Sequence, residues 1–171
     1  MQPFSRVLFV FVMTLVCSGA FCQTGKPTVS PAETLSGMIG NAKITINYSS
    51  PSVKDRKIWG GLVPYDSVWR AGANEATTFR TDVTIEVAGK TLPAGRYSFF
   101  LVPRVAGPWT VIFNTLPYQW GAFKYDPTKD QLRVDVEPRM SADKVEALSY
   151  TIVPKGFLLS WEKMIVFIPV N

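Results

Sequence analysis

Residues 97–113 read YSFFLVPRVAGPWTVIF. Two nearly unbroken apolar runs, Tyr97–Val102 and Trp109–Phe113, are divided by Pro103–Pro108, a segment with a proline at each end and a glycine inside. Short apolar runs between turn signals are the pattern of strands covered on both faces. Around them the pattern changes to alternation. Ile44, Ile46 and Tyr48 share one strand face, as do Val83, Ile85 and Val87, and as do Leu132, Val134 and Val136, with Arg133 and Asp135 pointing the other way. With Ala88-Gly89-Lys90 and Pro93-Ala94-Gly95 as breaks, segments 83–87, 97–102 and 109–113 are predicted to form an antiparallel meander. Further strands are expected at 76–81, 146–153, 157–161 and 164–169, for a total of about eight or nine. A short helix is expected after Ser141, a cap residue followed by Asp143 in the first turn. The predicted fold is all-β: one antiparallel, jelly-roll-like β-sandwich over 33–171, preceded by a flexible leader at 23–32.

The first 22 residues carry one positive charge at Arg6, an apolar run Val7–Val16 and then the small residues Ser18, Gly19 and Ala20. This is the pattern of a secretory signal peptide. The run is too short for a membrane span of about 20 residues, and no transmembrane segment is expected after it. Cleavage after Cys22 is favoured over cleavage after Ala20. Bulky residues precede both Cys17 and Cys22, which suits a lipoprotein signal poorly. The expected protein is therefore exported, periplasmic or extracellular. Removal of both cysteines leaves it without a disulfide, a redox site or a thiolate metal ligand.

The net charge of +5 is scattered among acids rather than gathered in a stripe, so no nucleic-acid partner is expected. The chain has no histidine. Ser-His-Asp hydrolysis, Cys-His catalysis and His-ligated metals are thereby excluded. No metal and no cofactor is expected: Asp126-Pro-Thr-Lys-Asp130 imitates the start of a calcium loop, but Gln131 stands where that loop needs glycine and a strand pattern follows. Those residues read instead as a turn entering the strand.

Two segments exceed ordinary connections, 49–75 and 114–130, and long loops in compact domains are often functional. The first ends in VWRAGANEATTF (68–79). Arg70 and Glu75 lie on opposite faces of a strand, roughly 17 Å apart, and about 140° apart on a helix. They converge only if Ala71-Gly72-Ala73 folds back, which a glycine between small residues permits. The expectation is a turn that gathers Arg70, Asn74 and Glu75 into one polar cluster. Two readings of it stand open: an ion pair pinning the loop, or a ligand site in which arginine supplies fixed bidentate donors. Trp59, Trp69 and Trp120 lie in the loops, either stacking on a ligand or plugging the sandwich end, whereas Trp109 and Trp161 sit in strand patterns and belong to the core. Tyr125 and Asp126 complete the candidate ligand-binding set, with no catalytic residue assigned. A carboxylate pair of the kind glycosidases hold roughly 5–9.5 Å apart would draw on Glu75 with Asp126 or Asp130.

The runs RKIWGGLVPY (56–65), VWRAGANEAT (68–77), AGRYSFFLVP (94–103), WTVIFN (109–114), QWGAFKYDPTKD (119–130) and LLSWEKMIVFIP (158–169) resemble the bacterial domain-of-unknown-function family 2911. The resemblance implies a secreted or envelope-associated, all-β domain of a Gram-negative bacterium and carries over no reaction, cofactor or catalytic residue. The function expected is a non-catalytic binding or interaction module for a small ligand such as a glycan or peptide. An envelope assembly component holding a protein partner, or a carboxylate-dependent hydrolase, are the alternatives.

Overall fold

The computed structural model describes residues 30–171. The expected signal peptide, both cysteines and residues 23–29 of the expected leader lie outside the described residues. Ten strands follow in order: β1 (Ala32–Ile39), β2 (Ala42–Ser49), β3 (Thr78–Thr81), β4 (Ile85–Val87), β5 (Lys90–Leu92), β6 (Gly95–Val102), β7 (Trp109–Asn114), β8 (Asp130–Val136), β9 (Pro138–Val153) and β10 (Gly156–Pro169). The described residues are all-β, as expected, with one 3-10 turn at Pro127–Lys129. No helix among the described residues is long and apolar enough to cross a membrane.

The main layer is a six-stranded antiparallel sheet in the order β1-β2-β3-β6-β7-β8. Neighbours follow chain order except that β4 and β5 are left out, so this layer is a meander rather than the crossed-over order of a jelly roll. The second layer is the long β9–β10 hairpin, extended at Val170 by a bridge to Val87 with paired backbone bonds Glu86 N to Asn171 O (2.9 Å) and Asn171 N to Glu86 O (3.0 Å). Between the layers, Phe157 of β10 meets Phe79 and Phe99 with ring centroids at 5.4 and 5.7 Å. Leu159, Trp161, Val166 and Ile168 continue that buried stripe along β10.

Two expectations are corrected. Segment 83–87 does not flank 97–102; β3 takes that place, with Arg80 opposite Arg96. The Thr81 hydroxyl donates to Val83 O at 2.7 Å and turns the chain out of the sheet. The next strands close on each other through Ala88 (φ 48°) and Gly89 (φ 76°), a turn that matches hairpin twist. The helix expected after Ser141 is absent. Ser141 Oγ does accept from Asp143 N, at 3.2 Å, but within the bulged stretch of β9 between Met140 and Val145, which face Met164 and Glu162 of β10. The cap chemistry is real and serves a bulge, because the flanking residues find strand partners.

Why 97–102 and 109–113 are apolar on both faces is now visible. Phe99, Leu101, Val111 and Phe113 face the core between the layers. Phe100, Val102 and Ile112 face outward beneath Ala76, Val68, Ala122 and Tyr125, which come from the two long loops. The loops are the roof of this part of the sheet, and the candidate site lies where they meet.

Candidate functional site

Trp69 pairs with Leu101 of β6 through bonds of 2.7 and 2.9 Å, and Thr77 O accepts from Phe99 N at 2.7 Å. Both ends of the segment are therefore stitched to one strand, and residues 70–76 are looped out between them. The loop depends on left-handed backbone at Ala71 (φ 52°) and Asn74 (φ 57°). Such conformations are costly without glycine and persist where surroundings impose them. Here Ala71 O accepts from Thr77 Oγ1 (3.0 Å) and from the Tyr150 hydroxyl (2.7 Å), while Gly72 O accepts from Trp69 Nε1 (3.2 Å). Burial pushes the Tyr150 phenol well above its ordinary value, which keeps it a donor. Gly72 is required by close approach: a Cβ there would lie 2.9 Å from Thr77 Oγ1 and 3.1 Å from Ser49 O.

The β7–β8 loop zips onto this segment. Glu75 bridges Trp120, Ala76 N donates to Gln119 O at 2.8 Å, and Gly121 N donates to Asn74 O at 3.1 Å. Gly121 again makes room, since a Cβ on it would stand 3.2 Å from Arg70 Nη1.

Together these segments border a groove of about 560 Å³. Its lining includes Arg70, Asn74, Arg56, Trp69, Trp161 and Phe123, and contains no aspartate or glutamate. Arg70 is half-buried, its Nε is buried without a hydrogen-bond partner, and it enters no ion pair among the described residues. Burial alone pulls its guanidinium below the usual arginine value. Trp161 Nε1 is likewise a buried donor without an acceptor. Arg56, by contrast, spends Nε on Val53 O (3.1 Å) and Nη2 on Ser52 O (2.6 Å).

The expected cluster is thus only partly assembled. Arg70 and Asn74 share the groove, where Asn74 Nδ2 donates to Ser49 Oγ (3.2 Å) and Ser30 O (3.3 Å). Glu75 lies elsewhere, exposed and beside a second cavity of about 350 Å³ that also takes in Glu33, Tyr48 and Tyr118. No Arg70–Glu75 ion pair forms, so the loop is pinned by neutral hydrogen bonds instead. Trp69 lines the groove, whereas Trp59 stands behind it, 4.8 Å from Trp109 and 5.6 Å from Trp69 between ring centroids. Trp120 is 61% exposed and outside the lining.

Tyr125 and Asp126 belong to a separate cluster. The Tyr125 ring packs on Phe100 at 5.3 Å, and its hydroxyl donates to Asp130 Oδ2 at 2.5 Å and accepts from Arg133 Nη1 at 2.8 Å. Asp130 also accepts from Asn114 and Arg133, each at 2.8 Å. Asp126 caps the 3-10 turn by accepting from Thr128 N at 2.9 Å. These carboxylates are engaged in holding the loop, and neither lines the cavity beside Glu75. Among the described residues no group of three or more metal-ligating side chains gathers.

Among the lining residues outside the expected set are Arg56, Trp161 and Phe123. Arg56 was visible only as a surface charge, and Trp161 as a core strand residue. Phe123, 83% exposed at the groove rim, had one signal: it follows Gly121-Ala122 in a loop already singled out.

Comparison with curated proteins and with solved structures finds no match. The family model described as "Protein of unknown function (DUF2911)" matches residues 30–170, nearly all of what the structure describes, and the chain belongs to that family.

Proposed function

We propose that the protein is an exported, non-catalytic binding module whose groove receives the anionic group of a small ligand on Arg70. One observation carries this reading: a half-buried guanidinium with an orphaned Nε borders a groove that has two arginines and no acid in its lining. Buried polar groups are nearly always satisfied, and charged ones are paired. Arginine presents a planar fork suited to carboxylate or phosphate. The pinned loop supports the same reading, because it fixes the side chain's base before any ligand arrives. An acidic glycan or a peptide fits the chemistry, and the Met1–Cys22 signal pattern supports export to where such ligands occur.

Thermal denaturation of the purified protein with acetate, inorganic phosphate, glucuronate and a short peptide acid tests it. A ligand at a hundred times its Kd raises Tm by roughly 5–10 °C for a domain of this size. Arg70→Met is expected to abolish the rise, and Glu75→Gln to retain it. If no anion raises Tm, or if Arg70→Met responds like the parent, the reading fails.

A further inference from the structure

Resting on the anion reading above, we infer that the ligand is an apolar monocarboxylate, and that Trp161 Nε1 is its second polar contact. Trp161 is 1% exposed, lines the groove and has an indole N–H with no acceptor. It stands where the β9–β10 register shifts between Ser160 and Glu162, opposite the extra residues of a bulge in β9 and next to Glu162, which takes a left-handed φ of 54°. Bulges re-aim side chains and interrupt pairing beside functional sites. Trp59 Nε1 is also buried without an acceptor, but Trp59 stands outside the groove lining, so of these two orphaned indoles it is Trp161 that borders the groove.

The donor inventory selects the charge type. Arg56 keeps its charge but spends Nε and Nη2 on backbone carbonyls, so the orphaned side-chain donors of the groove are the Arg70 Nε and one neutral indole N–H. Two oxygens bearing one negative charge match that pair. A phosphate dianion needs more donors, which phosphate sites supply from several backbone N–H groups or a cation cluster. The rest of the lining selects the body. Trp69 and Trp161 stack with an interplanar angle of 16°, and Val63, Leu62 and the rim residue Phe123 add aliphatic and aromatic surface. Leu62 and Phe123 are exposed large apolar side chains that a ligand body would cover.

A carboxylate on an apolar body arises from a peptide C-terminus with a hydrophobic last residue or from a fatty acid. Calorimetric titration of the purified protein with N-acetyl-phenylalanine, its amide, octanoate and inorganic phosphate separates these. The acetylated amino acid binding more tightly than octanoate identifies a peptide terminus, and the reverse identifies an acyl chain; either supports the inference. The amide, lacking the charge, is expected to bind at least tenfold more weakly. Trp161→Phe is expected to weaken the favoured carboxylate about tenfold, the loss of one charge-assisted hydrogen bond. Should that variant fail to fold, the indole N–H resonance of Trp161 in the parent is followed instead, and it moves downfield on saturation. Phosphate binding at least as well as both carboxylates, or an unmoved Trp161 resonance, overturns this inference while leaving the anion reading standing. No binding by any anion, or binding that survives Arg70→Met, removes both.

Discussion

Two arginines touch the β7–β8 loop and meet opposite fates. Arg133, at the loop's far end, has its guanidinium on Asp130 and the Tyr125 hydroxyl, each at 2.8 Å. Burial draws its affinity for the proton down, but Asp130 and Tyr125 outweigh this and hold it above the usual value. Arg70, beneath Gly121, has burial and nothing to offset it. A cation recruited for folding is met by acceptors from its own chain. One left unmet at the wall of a groove is available to something else, and the contrast separates the structural half of this loop system from the half assigned here to binding.

The largest blow to the structural half is Asp130→Ala. The Asp130 side chain is 6% exposed, and its loss strands Arg133, Asn114 and the Tyr125 hydroxyl together. Urea denaturation is expected to give a loss of about 2–3 kcal/mol, reduced from the value for a wholly buried pair because Arg133 is largely solvated. A loss below about 1 kcal/mol would mean that the cluster is ornamental and the contrast false.

Next comes the direct comparison of Arg133→Met with Arg70→Met by the same measurement. The first deprives a buried carboxylate of its cation and is expected to cost about 1–2 kcal/mol. The second removes a charge with no partner and is expected to change stability by less than about 0.5 kcal/mol in either direction. Equal losses would show that Arg70 also serves the fold.

The smallest expected effect lies in alkaline solution. Tyr125 is pushed from its ordinary value of 10.0 up to about 12, by burial first and then by Asp130. A phenol whose folded-state pKa is raised favours folding below pH 10, and that contribution is lost as pH rises from about 10 through about 12. Tyr125→Phe is expected to flatten part of the decline in stability over that window. Burial also raises Tyr48, Tyr97 and Tyr150, so some slope persists. An unchanged slope would place Tyr125 outside the structural cluster.

Most of the fold was legible because strand alternation reports burial directly. Leu132, Val134 and Val136 alternate in sequence and in the sheet alike. The doubly apolar runs also read correctly, although what covered them, two irregular loops, left no periodic trace. The misplacement of 83–87 has a plain cause: a strand of pattern Ile85, Val87 buries one face equally well in either layer, and the bond from Thr81 to Val83 that diverts it is invisible in composition. At the site, the fold-back was legible in the run of small residues Ala71-Gly72-Ala73, although the left-handed turns fall at Ala71 and Asn74 and Gly72 serves close approach. The parting of Arg70 from Glu75 was not. It follows from Asn74 adopting a left-handed conformation and from Glu75 pairing its backbone with Trp120, a contact between residues far apart in the chain.

The indole assembly behind the groove gives the molecule an optical handle. Four of its five tryptophans, Trp59, Trp69, Trp109 and Trp161, lie with ring centroids 4.8 to 5.9 Å from a neighbour, close enough for their electronic transitions to couple. Two of the four face the groove directly. Near-ultraviolet circular dichroism and tryptophan emission therefore register any guest that settles there, without a dye or a label, while solvent-facing Trp120 supplies an internal reference.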